Sequence, residues 1–102
     1  MASENFFLIL VDQPSTSQRN AVHARVKKAT SGWWHNFNDA WIVRGGTTQD
    51  WSARLQPVFK TGTAGFLVFE LPGSDTTRSW SYFGPNASTR LSWLHKNYTR
   101  DR

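Results

Sequence analysis

The chain has 102 residues and a mass of 11.7 kDa, with 12 Lys+Arg against 7 Asp+Glu, a formal net charge of +5 and a sequence pI near 10.3. That length suits one domain. The absence of cysteine excludes a disulfide framework, a thiolate zinc site and a cysteine nucleophile, and the longest apolar run, residues 6–11, is far shorter than the roughly 20 residues that span a bilayer.

The opening Met1-Ala2-Ser3-Glu4-Asn5 lacks the basic flank of a secretory leader, so a cytoplasmic protein is expected. Phe6 to Val11 is apolar at every position and ends at Asp12, as a strand buried on both faces would. Gln13-Pro14-Ser15-Thr16 stops it, and a helix is predicted from Thr16 or Ser17 to about Thr30. Val22, Val26 and Ala29 form its apolar side, and Arg19, His23 and Lys27 a polar row flanked by Arg25 and Lys28. Trp33-Trp34-His35-Asn36-Phe37 and Ala40-Trp41-Ile42-Val43-Arg44 read as a hairpin around Asn38-Asp39.

After Gly45-Gly46, Thr47 or Thr48 caps a second helix with Asp50 in its first turn and Trp51, Leu55 and Val58-Phe59 inward. Pro57 ends or kinks that helix early. Gly65 to Leu71 is again apolar almost throughout and reads as a second strand buried on both sides. The order strand, helix, strand, strand, helix, strand predicts an α+β protein of the ferredoxin-like βαββαβ type, with the first and last strands side by side at the sheet centre. Beyond this 6–71 core, residues 76–98 are expected to add a short edge strand at Trp80-Ser81-Tyr82-Phe83 and a helix with Leu91, Leu94 and Tyr98 on one face. Residues 74–79 read as a polar turn, and the charged stretch from Tyr98 onward as a frayed end.

The chemistry these residues can carry is limited. Asp12 ends a buried strand, where ligands can approach, and a carboxylate there suits either a hard cation such as Mg2+ or the cap of the next helix. No histidine pair has metal spacing, though His35 could act as a general acid or base if it points away from the helices. Phe37, Trp41, Trp51, Phe66 and Phe69 are expected to fill the core. Trp33 and Trp34 cannot both face inward on a regular strand, because side chains alternate. One of them, with Trp80, needs a covering surface, either a partner or the chain's own C-terminal segment. Between residues 13 and 59 the only acids are Asp39 and Asp50. Arg19, Arg25, Lys27 and Lys28 are therefore candidates for nucleic-acid phosphate contact.

Phe7-Leu8-Ile9-Leu10-Val11-Asp12-x-Pro14, Asn20-Ala21-Val22, Trp33-Trp34-His35 and Asp39-Ala40-Trp41-Ile42-Val43 resemble the small SinR-like proteins. Those are similar to the CRISPR-associated ferredoxin-like nucleases of spacer acquisition and to the VapD-like toxin ribonucleases. The likeness continues through Trp51…Leu55-x-Pro57 to residue 71. It implies a ferredoxin-like subunit that forms a two-fold dimer, with Asp12 of both copies holding Mg2+ or Mn2+ as the catalytic metal site. Two readings follow. One is a small basic dimer that contacts nucleic-acid backbone and acts as a metal-dependent nuclease. The other is a non-catalytic accessory protein of a phage or mobile element, binding a protein partner through Trp33, Trp34 and Trp80.

Overall fold

The computed structural model describes residues 5–60, 62–73 and 78–98. Strand β1 (Phe6–Asp12) is followed by α1 (Thr16–Ala29), the hairpin β2 (Trp33–Phe37) and β3 (Ala40–Arg44), α2 (Thr48–Leu55) and β4 (Gly65–Leu71), then two short helices, α3 (Ala87–Arg90) and α4 (Ser92–Asn97). The four strands form one antiparallel sheet in the order β2-β3-β1-β4. No described helix is long and apolar enough to cross a membrane.

Both long helices start on reciprocal caps. Ser15 Oγ accepts from Gln18 N (3.0 Å) while Gln18 Oε1 accepts from Ser15 N (2.9 Å). Thr47 and Asp50 make the same exchange at α2, at 3.0 and 3.1 Å. Each box satisfies two N–H groups that the first turn leaves without helical partners. α2 ends at Leu55, and Gln56–Phe59 tightens into a 3-10 turn with Pro57 in its first positions, where a missing N–H costs nothing.

Strand alternation sorts the core into two layers. On one face Phe7, Ile9 and Val11 of β1 and Trp41 and Val43 of β3 pack against Val22 and Val26 of α1 and Trp51 and Leu55 of α2. On the other, Phe6, Trp34, Ile42 and Leu71 meet Leu91, Leu94 and Tyr98. The sheet is thus sandwiched between the α1–α2 pair and the C-terminal segment.

Several expectations are corrected. β4 lies beside β1 but at the sheet edge, not its centre, and its Leu67 and Phe69 are 60% and 50% exposed. Its apolar run does not mean burial on both sides: Phe66 and Val68 pack partly on the helix-side core and Leu71 on the C-terminal layer, while Leu67 and Phe69 stay open. Ala29 is exposed, because two buried valines one turn apart already define the narrow inward stripe of α1. Phe37 is 45% exposed and Phe69 half-exposed, whereas Trp41 and Trp51 are buried as expected and Phe66 packs partly on the core.

Trp80 to Phe83 is not a strand but irregular chain. The C-terminal helix is broken at Leu91, since the Arg90 carbonyl that a continuous helix needs for Leu94 N–H instead accepts from Trp34 Nε1 (2.6 Å) and Asn36 Nδ2 (3.0 Å). The polar turn at 74–77 and the frayed end at 99–102 lie outside the described residues.

Candidate functional site

Asp12 sits at the open end of β1, exposed, in register with Gly65 of β4. A Cβ at Gly65 would meet nothing within 4 Å, so the approach to the carboxylate is clear. Asp12 does not cap α1; Ser15 does. Gln13, the next residue, takes a left-handed conformation with φ 50°, turning the chain sharply away from the strand. The shallow depression around Asp12 is otherwise walled by Leu10, Val11, Phe66 and Leu67. Among the described residues no three His, Cys, Asp or Glu side chains gather into a metal-holding group. Among the described residues Asp12 is the one carboxylate at this depression, so a hard cation here would draw its remaining ligands from water, phosphate or a second copy.

The basic row of α1 divides in two. Arg19 Nε donates to Asp39 Oδ1 (2.9 Å), an exposed ion pair tying the helix to the β2–β3 turn and worth at most about 1 kcal/mol. His23 does not join a solvated basic face: its ring lies edge-on to Trp33 (centroids 4.9 Å) and beside His35 (5.0 Å), and its Nδ1 accepts from Trp41 Nε1 at 3.2 Å. Burial, then the neighbouring His35 and Lys27, lowers the His23 pKa below its usual value. His35 likewise points toward the helices rather than away, stacked on Trp41 at 4.1 Å and 5°. Its Nδ1–H donates to Ala40 O (2.9 Å). His23, with its Nδ1 lone pair already engaged, carries its proton on Nε2.

Arg25 and Lys28 go the other way, toward α2. Arg25 Nη1 donates to Arg54 O (3.2 Å), and a cleft of about 220 Å3 is walled by Arg25, Lys28, Arg54 and the methyl of Ala29. Arg54 itself lies over the Trp51 ring at 4.7 Å. Of the four predicted phosphate contacts, the fold brings Arg25 and Lys28 together, separates Arg19, and sets Lys27 near His23. Arg54 was missed. It stands three residues after buried Trp51, as Arg25 stands three after buried Val22, so both border an inward stripe. Their meeting depends on which helix lies beside which, and spacing within one helix does not carry that.

Trp33 packs on the helix-side core. Trp34, 5% exposed, faces the opposite layer and is covered by the chain's own C-terminal segment. Trp80 belongs to that segment, its indole N–H donating to Tyr98 O at 3.0 Å. Arg90, which the sequence did not single out, clamps the layer to β2. Its guanidinium donates to Asn36 O and to Tyr82 Oη (2.9 Å) and lies over the Phe37 ring at 5.4 Å.

Neither a family model, a curated protein nor a solved structure matches the chain.

Proposed function

We propose that the chain is a ferredoxin-like protein that contacts nucleic-acid phosphates through the cleft between α1 and α2. Read from the β4 edge, the strand order β4-β1-β3-β2 with α1 and α2 on one face supports the split-βαβ reading. The feature that carries the functional part is this cleft, bordered by three basic residues, Arg25, Lys28 and Arg54, together with Ala29. Arginine forks and a lysine ammonium hold phosphate oxygens without reading base identity, so the binding is sequence-independent and salt-dependent.

With about three phosphates neutralised, a slope near −2.7 in log affinity against log salt is expected on duplex, or about forty-fold between 50 and 200 mM. The test titrates labelled single-stranded RNA and duplex DNA at those two salt concentrations. Replacing Arg25, Lys28 and Arg54 together by Gln should flatten the slope and weaken binding at least tenfold at low salt, while Arg19→Gln changes little. A triple variant that binds like the wild type would remove the proposal.

Metal-dependent cleavage extends this reading: Asp12 of two copies would supply the two carboxylates of a Mg2+ site completed by phosphates and water. The check is cleavage of RNA and DNA with Mg2+ or Mn2+ by wild type and Asp12→Ala. Equal rates, or none from either, leave backbone binding without catalysis. The accessory-protein reading is favoured by a different observation, the exposed apolar side chains of Leu67 and Phe69 on β4, and not by the tryptophans, which are used within the chain.

A further inference from the structure

The C-terminal segment does not seal the sheet face it covers. Between them lies a cavity of about 350 Å3, floored by Leu8, Ala40 and Ile42 of the sheet and walled by Trp34, Trp80 and Tyr82. This volume falls in the range of small-molecule sites. Leu10 and Phe37, 38% and 45% exposed, also line it, so the cavity opens to solvent.

The chemistry of its lining is unusually uniform. Among the described residues that line it there is no Asp, Glu, Lys, Arg or His. The polar atoms on its rings are already engaged within the chain: Trp34 Nε1 with Arg90 O, Trp80 Nε1 with Tyr98 O, Tyr98 Oη with Pro72 O (2.8 Å) and Tyr82 Oη with Pro85 O (2.7 Å). Ser79 and Ser81, both exposed, supply the hydroxyls at its border. A charged guest would lose its hydration with no counter-charge in return. An apolar one gains burial and ring contact, and engineered apolar cavities of about 150 Å3 already stay dry and take up benzene.

We propose that this cavity is a binding site for a neutral, largely aromatic small molecule, held by stacking and apolar burial among Trp34, Phe37, Trp80 and Tyr82. The site is independent of the cationic cleft, which lies on the α1–α2 layer. It also gives the second sheet layer a use other than stability.

The test uses N-phenyl-1-naphthylamine, a neutral aromatic probe whose emission reports apolar surroundings, with quenching of tryptophan emission as a second readout. Wild type should bind one probe per chain, saturably. Ala40→Phe places a ring on the cavity floor and should weaken binding tenfold or more while the near-ultraviolet dichroism of the tryptophans is kept. If that variant loses its dichroism, Leu8→Phe repeats the test from the neighbouring strand. Leu67→Lys/Phe69→Lys, outside the cavity, should bind the probe as wild type does. The proposal is overturned by absence of saturable binding to wild type, by unchanged affinity in a folded floor variant, or by loss of binding in the β4 variant. Probe displacement by self-association of the chain would overturn it too, since the cavity would then receive a side chain from a second copy.

Discussion

The imidazole of His23 illustrates how a side chain's neighbours can outweigh its place in the helix. Helical spacing puts it in line with Arg19 and Lys27, but α1 packs so that Trp33, His35 and Trp41 surround it. Its lowered pKa means that the folded chain keeps it neutral at a pH where the unfolded chain takes up a proton. Stability then rises with pH from the lowered native value to about 6.5, the ordinary histidine value, and is fully present above it. The thermal midpoint should fall between pH 7.5 and pH 5, and less steeply in His23→Gln, which keeps an acceptor for Trp41 Nε1. Equal slopes in the two proteins would place the titration elsewhere. Asp12 is the contrasting case, since a carboxylate closing an apolar strand is legible from the sequence and the fold leaves it at that strand end, exposed.

At the level of elements, what was legible followed from local chemistry. The cap of α2 at Thr47, the Asn38-Asp39 turn and the early stop at Pro57 depend on residues a few positions apart and lie where the sequence puts them, whereas the Ser15–Gln18 box of α1 was not read from it. The C-terminal segment was less legible because its form is set by contacts more than fifty residues away. Arg90 is the hinge of that arrangement: its carbonyl takes donors from Trp34 and Asn36, and its guanidinium reaches back to Asn36 O and Tyr82. Hydrogen bonds to a charged group are worth about 1.5–3 kcal/mol. Arg90→Ala should therefore loosen α3 and α4 ahead of the rest. Hydrogen exchange should quicken at the α4 amides while those of β1 and α1 stay protected. Uniform loss of protection would mean that the second layer and the sheet unfold as one unit.

For the whole molecule the decisive fact is which strand lies at the edge. A continuous apolar run cannot tell a central strand from an edge strand awaiting a partner, and β4 is of the second kind: seven residues, no proline, Glu70 its lone charge. Natural edges are usually blunted by charge, proline or a cover. A second copy pairing through β4 would bury Leu67 and Phe69 isologously. Sedimentation should show concentration-dependent dimers in the wild type and monomers in Leu67→Lys/Phe69→Lys, with the monomer's thermal midpoint little changed. Monomeric wild type at high concentration would end the dimer proposal. Antiparallel pairing centred on Val68 would set the two Gly65 positions roughly 20 Å apart, at about 3.4 Å per residue. The two Asp12 carboxylates, each in register with its own Gly65, would then lie at opposite ends of the joined edge. A metal shared by both requires a dyad near Gly65 instead, so the dimer and the cleavage experiments test separate geometries.

The layered order also has a consequence in time. The sheet is complete once Leu71 has been made, yet the side chains that cover Trp34, Ile42 and Leu71 come from residues 78–98. At roughly 5–20 residues per second, synthesis leaves that apolar face bare for a second or more while the covering residues are added. During this interval the nascent chain presents a sticky surface that the finished protein hides, and holdase chaperones or a neighbouring nascent copy would meet it there first.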